Sequence, residues 1–356
     1  MDDVQHADEQ RAESWVVERE RRQAGAAGRP SEAGRDAGHD ESRGRSADAP
    51  SQIPARGWKD IVLRIYRGIG EDRILLNAAG VTFYVLLALF PALAALVSIY
   101  GLFADPATIA KQLDMLSGIL PGGGMSVIRD QLTRVASNGS GSLTIGFVIG
   151  LLVSLWSANG GMKGLFDALN AVYEEEEKRS FLRLTAVSLA FTLGLIGFAI
   201  VAITCIVAIP IILSYLPEFV GTAMGTIINI ARWPLMAVLV AFVLALVYRY
   251  GPSRDEPKWR WISWGSVLAA VGWLVVSGAF SYYAAKFGTF NKTYGSLGAV
   301  IGFMLWIWLS VIVILLGGKL NAEIEHQTAR DNTKGPPRPL GQRDATMADT
   351  IGRAQS

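Results

Sequence analysis

The chain has 356 residues, 51% of them hydrophobic and 18% charged, with a formal net charge of +2 and a single cysteine, Cys205. A soluble globular domain carries about 25% charged residues, so this composition already points away from water. One cysteine excludes an intramolecular disulfide and any multi-cysteine metal site, and so small a net charge says nothing about nucleic acid by itself, the distribution of charge carrying the information.

Residues 1–55 are rich in Arg, Glu, Asp, Ala, Gly and Ser, in near charge balance, with few large apolar side chains. Such a segment buries too little surface to offset its ordering entropy, and a disordered cytoplasmic tail is expected. Its start, "MDDVQHADEQRAESW", is acidic and lacks the apolar core of a secretory signal, so the first apolar span is expected to direct its own insertion. Next, "WKDIVLRIYRGIGEDR" spaces Trp58, Ile61, Val62, Ile65 and Ile69 at helical intervals, with Lys59, Arg64 and Arg67 on the other side. This pattern predicts an amphipathic helix lying in the membrane interface, anchored by Trp58, its cations near lipid phosphates.

The run "NAAGVTFYVLLALFPALAALVSIYGLFAD" has no charged side chain between Ala78 and Ala104. About twenty apolar residues cross the hydrocarbon of a bilayer, so this run is long enough to span. Pro91 near its middle removes a backbone donor and predicts a kink that neighbouring helices must accommodate. In the loop that follows, Ile109, Leu113, Leu116 and Leu120 form one apolar stripe and Ile128, Leu132 and Val135 another. "PGGG" at Pro121–Gly124 separates them, predicting a helical hairpin at the outer surface.

Five further apolar runs begin at Leu143, Leu184, Trp233, Trp261 and Gly295, those from Leu143 and Trp233 being short. The expected fold is therefore all-α: a polytopic membrane protein with about six transmembrane helices plus interfacial amphipathic helices. Between the second and third runs, four glutamates precede Lys178 and Arg179 in "FDALNAVYEEEEKRSFLRL", which reads as a solvated helix. "GFVIG" at Gly146–Gly150 and "GAVIG" at Gly298–Gly302 are small-xxx-small patterns that let helix backbones approach closely. Residues 56–326 form the membrane domain, and the composition of 327–356 predicts a second disordered cytoplasmic tail. Placing both termini in the cytoplasm puts about fourteen flanking cations inside against about six outside, which is the orientation the positive-inside rule favours.

The three histidines, His6, His39 and His326, lie in or beside the tails, so no histidine-based triad or proton relay can be built within the membrane. There is no GxxxxGK[ST] sequence to cradle a nucleotide, and no Asp, Glu, Lys or Arg near the middle of a span. No cofactor, metal or enzymatic activity is expected. What remains is polar but neutral, including Tyr84, Asn159 and Tyr294, beside prolines that interrupt the spans at Pro91, Pro210 and Pro234. Kinked helices with uncharged polar linings suit an amphipathic molecule whose acyl part stays in the bilayer.

The segments "AAGVTFYVLLALFPALAALVS", "LWSANGGMKGLFDALNAVYEEEEKRSFLRL", "YRYGPSR" and "YGSLGAVIGFMLWIWLSVIVILLGGKLNAEIE" together resemble the YihY/BrkB family of bacterial inner-membrane proteins, once labelled ribonuclease BN. The resemblance runs from Trp58 to about Glu325. It implies a six-helix inner-membrane protein, tied in some members to resistance to serum killing, with roles in envelope lipid handling or transport. Carried over by motif, it marks Tyr84, Pro91, Asn170, Tyr294 and Gly295, and Asn321 and Glu323 also match. Lys319 departs from it, since the family usually reads G-A-E-L-N where this chain has "GGKLN". The old nuclease label finds no metal-binding or acid/base set in these residues. The leading expectation is non-enzymatic binding or movement of an amphipathic envelope molecule such as a lipid. A scaffold that recruits partners through its tails is the alternative. Expected partners are membrane lipids, not nucleic acid, together with a second copy of the chain or another envelope protein.

Overall fold

The structure, a computed structural model, describes residues 41–103, 143–214, 218–287 and 297–355. Among these, six helices run 29 to 34 residues each: α2 (Ile74–Phe103), α3 (Leu143–Val172), α4 (Phe181–Ser214), α5 (Glu218–Tyr250), α6 (Trp259–Phe287) and α7 (Leu297–Glu325). They are preceded by α1 (Ala55–Glu71) and followed by the single turn α8 (Thr346–Asp349). At about 1.5 Å per residue each long helix reaches about 45 Å, enough for a bilayer core and both interfaces.

Phe181–Phe198, Trp259–Tyr283 and Val300–Glu325 are long and apolar enough to cross a membrane, with shorter apolar stretches at Ile74–Ala88 and Pro234–Tyr250. Large apolar side chains such as Phe83, Leu87, Val238 and Val275 are more than half exposed. In water so much exposed apolar surface would drive aggregation, whereas lipid solvates it. The chain is an all-α membrane protein.

Helix α2 packs most extensively on α3, α6 on α7, and α7 also on α2. The α6–α7 contact is close because Gly265 and Gly317 carry no side chain: a Cβ at Gly265 would collide with the Gly317 carbonyl, and one at Gly317 would lie 2.7 Å from the Gly265 carbonyl. This crossing brings the backbones together; at Gly302 of the GAVIG motif a Cβ would meet, among the described residues, only Phe280 at 3.9 Å.

Among the described residues the packed core includes Leu169, Tyr173, Tyr248, Ile262 and Leu315, at the end of the bundle where α3 and α7 finish. Both described chain ends lie at that same end. Composition predicts solvated chain for residues 41–55 and 327–355, but the structure packs both. Gln327, Thr328, Asn332, Met347 and Ala348 are essentially inaccessible, and Thr328 donates to the carbonyl of Ala47 at 2.7 Å. These segments lack apolar mass, so composition misses them; hydrogen bonds and ion pairs hold them instead.

Two further expectations are corrected here. Arg64 does not face lipid phosphates, because the buried face of α1 consists of Gly57, Asp60, Ile61, Arg64 and Gly68, packed on α7. The acidic run is not a solvated helix either, since α3 ends at Val172. The Glu174 N–H bonds to the Ala171 carbonyl at 3.2 Å and the Glu175 N–H to the Asn170 carbonyl at 2.8 Å. With Glu174 at φ 54°, this is the Schellman closure that ends helices, here with glutamate in the left-handed position glycine usually takes. The predicted hairpin over 105–142 lies outside the described residues, and α2 is helical across Pro91, whose side chain is likewise not described.

Candidate functional site

The polar residues marked from sequence that are described fall in two places. The first is the closed end of the bundle. Because α3 ends in its Schellman turn, Asn170 points into the junction of two connections: its Nδ2 donates to Glu177 Oε2 at 3.0 Å and its Oδ1 accepts from the Ser253 N–H at 2.7 Å. Arg179 grips Glu177 through Nε and Nη2, both at 2.7 Å, and donates to the Gly251 carbonyl at 2.7 Å. Burial pushes the Glu177 carboxyl up, but the bonds from Arg179 and Asn170 prevail and hold it at about 2. Glu175 goes the other way: burial raises it beyond what the Thr346 N–H and Lys178 restore.

Asn321 is the counterpart of Asn170 on α7. Its Oδ1 accepts from the Gly265 N–H at 2.8 Å and its Nδ2 donates to the Ile262 carbonyl at 3.2 Å, so both amide ends are used in joining α6 to α7. Arg254 and Glu325 pair beside it at 2.7 and 2.8 Å, both side chains fully buried, with the guanidinium 4.4 Å over the Tyr173 ring. Next comes a chain of alternating charge. Asp72 lies 2.8 Å from Lys319, Lys319 lies 3.2 Å from Glu323, and Glu323 accepts from Arg64. Lys319, which departs from the family pattern, is therefore neutralised on two sides.

The second place is between α2 and α3. A Cβ at Gly160 or Gly164 would lie 3.5 Å from the Tyr84 ring, and one at Gly161 3.5 Å from Val85, so α3 offers a flat glycine seat on which Tyr84 rests. Tyr84 remains 43% exposed. Beside this seat in sequence, Asn159 is 5% exposed, and its Oδ1 has no hydrogen-bond partner among the described residues. Asn159 lies eleven residues before Asn170, about 16 Å along α3, near the middle of the helix.

Of the residues marked from sequence, the structure thus places Asn170 and Asn321 in the charged end and Tyr84 and Asn159 at the α2–α3 contact. Tyr294 and Gly295 lie outside the described residues, as does the Pro91 side chain. Sequence reasoning missed Arg64, Arg254, Glu325 and the Lys319 pairings. The available signal was a set of charges of both signs within a turn of helix ends. Among the described residues no group of three or more His, Cys, Asp or Glu side chains is placed to hold a metal ion.

Six long apolar helices, closed at one end by a buried polar and ionic network, define a polytopic α-helical membrane protein. The chain belongs to the virulence factor BrkB family, whose model matches residues 65–340. Its relatives include a ribonuclease-like protein, YfkH, of Bacillus subtilis, 30% identical over 69% of this chain and 88% of that protein. A UPF0761 membrane protein of Ralstonia nicotianae is 27% identical over 72% of this chain, covering 57% of its own length. Another from Alkalilimnicola ehrlichii is 26% identical over 88% of this chain and 70% of its own. No solved structure matches.

Proposed function

We propose that this protein resides in the bacterial inner membrane with both termini in the cytoplasm, and that it binds or moves an amphipathic envelope molecule such as a lipid without catalysing a reaction. The observation that carries the reading is Asn159. Among the described residues its buried amide oxygen has no hydrogen-bond partner, near the middle of a membrane helix, where an unsatisfied polar atom costs several kcal/mol. A hydrogen-bonding headgroup or linkage entering beside the half-exposed Tyr84 ring offsets that cost, while acyl chains stay among the exposed apolar side chains.

Orientation is supported by the position of both described chain ends, and of the described Arg and Lys residues that flank the helices, at the closed end. The non-catalytic reading is supported by how the buried charges are spent: Arg64, Arg254, Lys319 and Arg179 are each engaged by carboxylates. The ribonuclease-like name is that of the Bacillus relative.

The test is transbilayer movement of fluorescent phospholipid in proteoliposomes containing the full chain. Wild type is expected to accelerate movement over empty vesicles, and Asn159→Leu to slow it about fivefold, the worth of one hydrogen bond near 1 kcal/mol. Equal rates for wild type and empty vesicles would overturn the reading.

A further inference from the structure

The closed end treats its cations in two ways. Those that are buried are all engaged: Arg64 by Glu323, Arg249 by Glu256, Arg254 by Glu325 and Lys319 by Asp72. Five others on the helices and the α1–α2 turn, Arg56, Lys59, Arg73, Arg183 and Arg260, are exposed, and like Arg353 in the C-terminal segment they are engaged by no ion pair or side-chain hydrogen bond among the described residues.

Four of the five sit beside exposed apolar or aromatic side chains, Arg73 just before the exposed Leu75 and Leu76, and Arg56 lies one turn before Lys59 on α1. On α1 the outward stripe is Lys59, Val62 and Tyr66, with Val62 58% and Tyr66 75% exposed. The only exposed acid on that helix is Glu71, its last residue. Arg183 follows the exposed Phe181 and Leu182 at the start of α4, and Arg260 follows the exposed Trp259 at the start of α6. Trp58 of α1 meets Trp264 of α6 with ring centroids 5.6 Å apart, joining the patches on α1 and α6.

We infer that this girdle binds the headgroups of anionic phospholipids. Aromatic rings and short apolar side chains settle at the headgroup level, and unpaired cations beside them meet phosphate at reduced dielectric, where each adds about fivefold to surface attraction. A cation meant only for solubility has no need of an aromatic neighbour at the same depth. Free phosphate is also an anion but cannot use the rings, so the girdle selects the lipid. This inference does not rest on lipid movement; it concerns the perimeter of the bundle and not Asn159.

The experiment uses the full chain in nanodiscs of phosphatidylcholine alone, and of equal parts phosphatidylcholine and phosphatidylglycerol. In wild type, phosphatidylglycerol is expected to raise the unfolding midpoint and slow amide exchange in α1, and added salt to shrink both effects. A quadruple variant, Arg56→Gln, Lys59→Gln, Arg183→Gln and Arg260→Gln, is expected to keep its midpoint in phosphatidylcholine and lose most of the phosphatidylglycerol increment. The charge-preserving set Arg56→Lys, Arg183→Lys and Arg260→Lys is expected to retain it, which separates lost attraction from misfolding. The inference is overturned if wild type shows no increment, if the glutamine variant retains it in full, or if soluble phosphate alone reproduces it.

Discussion

Gly352 lies directly against the guanidinium of Arg64: a Cβ at position 352 would sit 2.7 Å from Arg64 Cζ and 2.9 Å from Nε. Neither partner is free to give way. The Gly352 N–H donates to the His326 carbonyl at 2.7 Å, while Arg64 bonds Glu323 and, at 2.7 Å, Gln327. Gly352→Val is therefore expected to cost about 1–3 kcal/mol through overpacking. The readout is a lower unfolding midpoint in detergent and faster proteolysis within 334–342. Gly70, with nothing near its absent Cβ, is the control: Gly70→Ala should be neutral or stabilising by up to about 1 kcal/mol.

A second prediction concerns Arg254 and Glu325. Both side chains are fully buried and doubly bonded, so either single change leaves an uncompensated charge. Arg254→Met alone should cost about 3–5 kcal/mol, whereas Arg254→Met with Glu325→Leu should recover most of that loss, because the desolvation of both ions is removed together. A double-mutant cycle on unfolding midpoints measures the difference. Additive losses would show that Arg254 acts mainly through its contact with Tyr173.

Acid should loosen the Asn170 junction in a defined window. The Glu177 carboxyl falls to about 2 in the folded chain, below its ordinary 4.5, through Arg179 and Asn170 against the opposing effect of burial. A depressed acid contributes stability that is present above the unfolded value and lost as pH falls through the folded value. The stability gap between wild type and Glu177→Gln should thus be constant above about pH 5 and close between there and about pH 2. A gap that persists undiminished at the acid end would mean that the carboxylate charge is not what holds Arg179.

The contrast between these sites and the helices shows what sequence can carry. Apolar runs such as Ala78–Ala104 declare themselves, because crossing hydrocarbon needs length and lack of charge, both local properties. Asn170 and Asn321 were marked only by resemblance, and their use of both amide ends became visible once Ser253, Gly265 and Ile262 were brought near. The segments 41–55 and 327–355 failed the composition test because that test weighs apolar area. Their partners lie far away in sequence: Asp60 accepts from Arg43 at 2.6 Å and from the Gln355 N–H at 2.9 Å, and Lys178 reaches Asp344 at 2.7 Å. Arg64 was misplaced for a related reason, since helical spacing assigns a charged residue to the polar face and cannot foresee Glu323 across the interface.

Lys319 gives the last prediction. It stands where the resembled family usually has an acid, yet here it separates Asp72 at 2.8 Å from Glu323 at 3.2 Å. Lys319→Glu would restore the family's residue but place three carboxylates together with Arg64 as the remaining close cation. Buried like charges left unpaired cost about 3–5 kcal/mol, so this single change should destabilise the chain more than Lys319→Met, which only deletes the cation. Adding Asp72→Lys to Lys319→Glu reverses the pair and should recover most of the loss, because the two opposite charges again face each other between the α1–α2 turn and α7. Unfolding midpoints of the four proteins decide it. If the reversed pair is no better than Lys319→Glu alone, the lysine is required for its fit against Gly68, where a Cβ would lie 2.5 Å from Lys319 Cε, and not for its charge.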